Sequence, residues 1–216
     1  MHFIQTHILD KLICTKVLRN RDMRPPNVES NLYQYHLLQL QKDGFVDKVE
    51  GGYTLTGPGL AYADRHSTSL KKTRKQPKVI TTVFISNHRG ELLLVPKKRQ
   101  PFMGVMNLPS GKIHLEETIE EAAKREIQEK VSPDAIVTNL KHFGAAHMTI
   151  KQNGFVISDY ISLLLTCDIQ GHNENSGMFV KLSEIYSIDL VPSVKELIEA
   201  YENKSVFTEN IIETIS

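Results

Sequence analysis

The sequence predicts an α+β chain of two domains, a small helical one followed by a larger one built on a mixed sheet between helices. Three observations carry this. The first 66 residues alternate short amphipathic helices with a Gly-Gly hairpin, and the stretch after residue 78 opens with apolar β-rich runs that lead into a helix rich in glutamate. Between them lies Ser67-Thr68-Ser69-Leu70-Lys71-Lys72-Thr73-Arg74-Lys75-Gln76-Pro77-Lys78, polar, basic and almost without apolar residues.

In the first domain His7 to Leu18 carries apolar residues at Ile8, Leu9, Leu12, Ile13, Val17 and Leu18, a helical spacing. Arg24-Pro25-Pro26 is extended or turned, because proline disfavours helix in the residue before it. A second helix follows, capped by Asn27 or Ser30, striped by Leu32, Tyr33, Leu37 and Leu40, and ended by Gly44. Phe45 to Val49 and Tyr53 to Leu55 flank Gly51-Gly52 and predict a hairpin. A further helix begins after Gly57-Pro58-Gly59.

Helix, helix, hairpin, helix is a winged-helix layout. With the run Leu40-Gln41-Lys42-Asp43-Gly44-Phe45-Val46 and the segment Leu55-Thr56-Gly57-Pro58-Gly59, it resembles winged helix-turn-helix DNA-binding domains. That resemblance implies a reading helix over about Ser30 to Lys42, with Asn31, Gln34, Tyr35, His36 and Gln39 toward bases. Phosphate contacts fall to Arg19, Arg21, Arg24, Lys48 and the basic stretch. A winged helix used only for dimerisation or protein contact is the other reading.

Charge fits a division of labour. Residues 1–78 hold 13 Lys+Arg against 7 Asp+Glu, a net +6, and the remainder is net −5, although the whole chain is only +1. The basic part suits nucleic acid. At 216 residues, 40% hydrophobic and 24% charged, the chain excludes disordered, collagen-like and fibrous classes. No apolar run approaches the ~18 residues that span a bilayer, so no membrane partner is expected. The start Met1-His2-Phe3-Ile4-Gln5-Thr6-His7 lacks the basic opening of a signal peptide, and two distant cysteines, Cys14 and Cys167, suit a reducing cytoplasm.

In the second domain Val79 to Ile85, a turn at Asn87-His88-Arg89-Gly90, and Glu91 to Val95 predict a hairpin. A Gly/Pro loop, 104–111, precedes the glutamate helix. Leu115, Ile119, Ala122, Ala123, Ile127 and Val131 form its expected buried face. Glu126 and Glu129 are i and i+3, so their carboxylates project side by side. Two such groups call for a hard divalent cation or for a neighbouring Lys or Arg. Thr149 to Ile157 and Tyr160 to Leu165 predict strands about an Asn153-Gly154 turn, and Val194 to Tyr201 a helix.

Gly111, five residues, Glu117, seven residues, then Arg125-Glu126-Ile127-x-Glu129 resembles the Nudix box. The resemblance implies the Nudix α/β/α sandwich with a mixed sheet, and cleavage of a nucleoside diphosphate linked to another moiety with Mg²⁺ or Mn²⁺. It implies Glu126 and Glu129 as metal ligands, Gly111 as a carbonyl ligand, and Arg125 paired with Glu117, these four side chains forming the catalytic set. Lys97, Lys98 and Arg99 meet the ligand's phosphate or are ordinary surface charge. Glu174 is the candidate base or a solvated loop acid. His142 and His147 line a pocket or are structural.

The chain departs from the pattern at Met106, Ser110, Lys130 and Ser132. Lys130 matters most: the family has a ligand Glu there, so the local charge changes by two, and weakened or lost multi-metal binding is expected, with Lys130 pairing to Glu126 or Glu129, unless Glu120, Glu121 or a loop carboxylate supplies a replacement ligand. The expected organisation is a winged-helix domain over 1–66, a basic linker over 67–78, a Nudix domain over 79–204 and a C-terminal tail over 205–216. The expected function is a regulator that senses a nucleotide-like molecule, with weak or no hydrolysis, and by analogy a homodimer. The alternative is an active Mg-dependent pyrophosphohydrolase.

Overall fold

Helix α1 spans Phe3–Ile13, beginning and ending earlier than the spacing His7–Leu18 suggests. His2 caps it reciprocally with Gln5, while Leu18 joins a bridge to Tyr53 instead. In the computed structural model the described residues are 1–67, 72–73, 75–171 and 176–214. They divide into two units, Met1–Gln76 and Pro77–Ser216.

The first unit continues with α2 (Asn20–Met23), α3 (Ser30–Lys42), the hairpin β1 (Val46–Val49) and β2 (Gly52–Leu55), and α4 (Gly57–Arg65). This is the winged helix-turn-helix layout. Ile4, Ile8, Leu9 and Leu12 of α1 bury against Tyr33, Leu37 and Leu40 of α3 and Val46 and Tyr53 of the hairpin. Gly44 takes φ +75° after α3, the left-handed stop that its position predicts. Gly52 is required by proximity: a Cβ there would lie 2.1 Å from the Leu18 carbonyl oxygen, which accepts the Tyr53 N–H. The basic stretch is not a plain connector, since β3 (His66–Ser67) pairs antiparallel with β4 (Lys72–Thr73).

The second unit holds β5 (Lys78–Ile85), β6 (Leu92–Pro96), β7 (Met106–Asn107), β8 (Ser110–Lys112), α5 (Ile119–Lys130), β9 (Ile136–Gln152), β10 (Phe155–Gln170), β11 (Met178–Val180), α6 (Leu182–Ile185), α7 (Val194–Glu202) and β12 (Phe207–Thr214). Its main sheet runs β12-β9-β10-β5-β8, and β11-β6-β7 form a second ladder. The main sheet is mixed: β10 is parallel to β5 and β12 to β9, and the other pairs are antiparallel. The Asn153-Gly154 turn has φ of +51° and +78°, and joins strands far longer than the apolar runs suggest.

Two expectations change here. The hairpin expected over 79–95 opens at its turn, where Ser86 bridges Leu92, and β5 and β6 then join different ladders. From Thr81 to Ile85 and from Leu92 to Val95 both faces are buried, so these runs lie between other elements rather than half exposed in a simple hairpin. The tail expected over 205–216 contains β12, which completes the sheet along β9.

Core lies on both sides of the sheet. Val83, Ile85, Leu93 and Val95 pack with Ala123, Ile127 and Val131 of α5. Phe84, Met148, Ile150 and Leu164 pack with Val194, Leu197 and Ile198 of α7. Ala122, Ala123, Ile127 and Val131 form the helix's buried face as expected, but Leu115 lies in the preceding loop, 84% exposed, and Ile119 at the first turn is exposed too. Among the described residues no helix is long and apolar enough to cross a membrane.

Candidate functional site

Helix α5 starts where Thr118-Ile119-Glu120-Glu121 forms a capping box. Thr118 Oγ1 accepts the Glu121 N–H, and Glu121 Oε2 accepts the Thr118 N–H at 2.8 Å. Glu121 is thereby committed to the cap, and Glu120 faces solvent opposite Lys124, so neither enters the site. From this start the helix carries Glu126 against Gly111 and Arg125 to the Lys112 carbonyl of strand β8, with Glu129 and Lys130 on the cavity beside them.

Glu126 is buried, at 6% exposure, with its carboxylate against Gly111. A Cβ on Gly111 would lie 1.7 Å from the carboxyl carbon, so the strand approaches this closely only because residue 111 has no side chain. Arg125 Nη1 donates to Glu126 Oε1 at 2.6 Å, and the Lys130 ammonium stands 2.8 Å from Glu126 Oε2. Both oxygens of the buried carboxylate therefore face a cation on the same helix.

Arg125 also clamps the loop. Its Nε and Nη2 donate to the two oxygens of Glu117 at 2.7 and 2.9 Å, and Nη2 donates to the Lys112 carbonyl. The Arg125 bonds, followed by the His114 N–H, pull the Glu117 carboxyl down to about 2. The same bonds push the Arg125 guanidinium above its ordinary value. Glu129 is more than half exposed and lies 3.6 Å from Arg125 Nη1.

These groups border a cavity of about 530 Å³. Lys97, Lys98, Arg99, Lys112, Arg125 and Lys130 line it against two carboxylates, Glu126 and Glu129. Burial, then the ammonium groups of Lys130 and Lys78, pull Lys97 below the ordinary lysine value. A smaller cavity of about 150 Å³ shares Lys97, Ser110, Gly111 and Lys112 and adds Phe102, Tyr160, Val191 and Leu197. A basic chamber thus adjoins one with an apolar and aromatic lining. Sequence reasoning missed Lys112, His114 and Lys78 here; the signal for Lys112 was its place on the strand beside Gly111.

The box spacing, the mixed sheet behind it and the Arg125 clamp agree with residues 76–208 matching the NUDIX domain. The chain belongs to the NUDIX family. It is similar to an ADP-ribose pyrophosphatase of Methanocaldococcus jannaschii, 27% identical over 107 residues, 49% of this chain and 59% of the relative. The chain thus spans about 59% of the length of that curated relative. Among solved structures it is similar to the NUDIX domain of Shewanella oneidensis NrtR complexed with ADP ribose, at 16% identity and TM-score 0.49 over 69% of this chain and 99% of that one. The mMutator MutT protein of Bacillus halodurans is similar at 21% identity and TM-score 0.48, over 64% of this chain and 90% of that one.

NUDIX hydrolases generally use divalent metals, and the residues present do not fit one. A divalent cation needs free oxygen donors. Glu126 has both oxygens engaged by Arg125 and Lys130, and an ammonium has no lone pair to offer. Among the described residues no three His, Cys, Asp or Glu side chains cluster as a metal site. Glu174 lies outside the described residues. His142 and His147 line neither cavity. His147 instead lies on the sheet between Asp159, at 3.0 Å, and Glu209, at 2.7 Å.

In the first unit Asn31, Gln34 and Tyr35 share the exposed side of α3, and Lys48 is exposed on β1. One residue expected to face bases does not: His36 is buried and stacked on His2 at 4.0 Å, while Gln39 is half-buried and donates to Asp43. Arg24 is exposed, but its guanidinium donates to the Val28 carbonyl.

Proposed function

We propose that the protein is a nucleotide-responsive DNA-binding regulator with weak or no hydrolysis. Its NUDIX unit takes a nucleoside-diphosphate-linked metabolite, and its winged helix binds DNA. The observation that carries this reading is the Lys130 ammonium 2.8 Å from Glu126, where the family has a ligand Glu. The cavity retains six cationic side chains suited to a diphosphate, and the adjoining chamber offers Phe102 and Tyr160 to the attached moiety. Arg125 and Glu117 hold loop and helix together around it. In the first unit the exposed polar residues of α3 and the net +5 of residues 1–76 (12 Lys+Arg against 7 Asp+Glu) support a DNA partner.

The second reading is an active Mg-dependent pyrophosphohydrolase. It is supported by the survival of Gly111, Glu117, Arg125, Glu126 and Glu129 at family spacing, and by the activity named for the curated relative. One pair of experiments separates the two. DNA selection at low salt is run with and without ADP-ribose, dinucleotides, nucleotide sugars and nucleoside triphosphates. The same panel is assayed for phosphate or nucleotide release with Mg²⁺ and Mn²⁺. The regulator reading expects a specific DNA site whose affinity changes with one panel member, and little turnover. Clear turnover with no DNA selected would make the chain an enzyme.

A further inference from the structure

We infer that Lys130 stands in for the metal: the site grips the diphosphate of its ligand with ammonium and guanidinium groups of its own chain and needs no divalent cation. The inference rests on the ligand half of the proposed function and is independent of DNA.

The first ground is occupancy. Glu126 is the one buried carboxylate of the cavity, and Lys130 and Arg125 hold its two oxygens at 2.8 and 2.6 Å. A divalent cation would have to displace the ammonium and then sit beside it. Lys130 is i+4 to Glu126 on the same helix, so its ammonium competes with an entering cation for that carboxylate. Glu129, the remaining carboxylate, faces Arg125 and solvent.

The second ground is the sign of the chamber. A carboxylate-lined site repels a diphosphate until a cation enters, and the cation makes the bridge. Here Lys97, Lys98, Arg99, Lys112 and Lys130 outnumber the carboxylates without help. Lys97 and Lys130 both line the chamber, and burial followed by the Lys130 and Lys78 ammonium groups disfavours the charged form of Lys97, so a bound anion would favour it. Direct ammonium and guanidinium contacts to phosphate oxygens are strong, charge-assisted bonds. The Glu126 carboxylate then positions Lys130, and Lys130 faces the ligand.

The test uses the full chain with inorganic pyrophosphate as the probe, titrated by calorimetry in EDTA and in Mg²⁺. Lys130→Met and Lys130→Glu are measured beside it, and Mn²⁺ binding to all three is followed by electron paramagnetic resonance. The natural chain is expected to bind pyrophosphate in EDTA at least as tightly as in Mg²⁺ and to take up no Mn²⁺ at sub-millimolar levels. Lys130→Met is expected to lose about tenfold in EDTA, about 1.4 kcal/mol. Lys130→Glu is expected to bind Mn²⁺ and to hold pyrophosphate only with a divalent cation. Pyrophosphate binding by the natural chain that requires Mg²⁺, tight Mn²⁺ binding by the natural chain, or no pyrophosphate binding in either buffer would overturn the inference. Thermal melts check that each variant folds; should Lys130→Glu not fold, Lys130→Met and the natural chain decide. A DNA affinity that ignores every nucleotide would sink the regulator reading and leave this one standing.

Discussion

Gly111 and Glu126 share one volume: the hydrogen that Gly111 carries in place of a side chain is what lets the Glu126 carboxylate lie against strand β8. Gly111→Ala would put a methyl group 1.7–2.0 Å from the carboxyl atoms. The Glu126 side chain must then turn away from its Arg125 and Lys130 partners, or helix and strand must part, at a cost of about 1–3 kcal/mol. Glu126→Ala in the same chain removes the clash, so the double variant is expected to be more stable than the sum of the single losses allows. Chemical denaturation of the four proteins checks this coupling.

The Glu117–Arg125 clamp carries an acid dependence. The folded Glu117 carboxyl titrates at about 2, below its ordinary 4.5, so its contribution is present above 4.5 and is lost as pH falls toward 2. Glu117→Gln is expected to lower stability at neutral pH and to flatten the acid limb over that window. Thermal melts across pH 2–6 measure both. An unchanged acid limb in the variant would mean that the clamp contributes nothing.

His147 fastens the last strand with the opposite sign. Its bonds to Glu209 of β12 and Asp159 of β10 raise its titration above the ordinary histidine value of 6.5. Raised folded titration means stabilisation that is complete below 6.5 and fades as pH climbs through the folded value. Exchange protection of β12 amides is therefore expected to fall on going from pH 6 to pH 8.5, after correction for the intrinsic rate. His147→Gln is expected to abolish that extra loss.

Under the proposed DNA-binding reading of the winged helix, Lys48→Ala is expected to weaken DNA binding evenly across sequences and to reduce the slope of log K against log salt by about 0.9. Gln34→Ala and Asn31→Ala are expected to relax sequence preference and leave that slope unchanged. Arg24→Ala, whose guanidinium already serves the Val28 carbonyl, is expected to cost fold stability as well as affinity. Fluorescence anisotropy across a salt series, with selected and scrambled duplexes, separates the three.

Much of this protein was legible locally. The Gly111, Glu117, Arg125-Glu126 spacing, the buried stripe Ala122, Ala123, Ile127 and Val131, and the turn at Asn153-Gly154 follow from helix period and turn chemistry, which act within a few residues. So did the prospect that Lys130 would pair with one of two glutamates, since both lie within a helical turn of it.

Tertiary structure chose Glu126 over Glu129, because only Glu126 is sealed against Gly111 and must satisfy its charge on the helix itself. It also parted β5 from β6, drew residues 207–214 into the sheet as β12, and set His147 beside Glu209, 62 residues away. Sheet partners are selected by which apolar faces must close against which helices, a competition over the whole unit that no window of sequence contains. Composition, motif and helix phase therefore belong to the sequence, and the side on which the site's charge balance fell belongs to the fold.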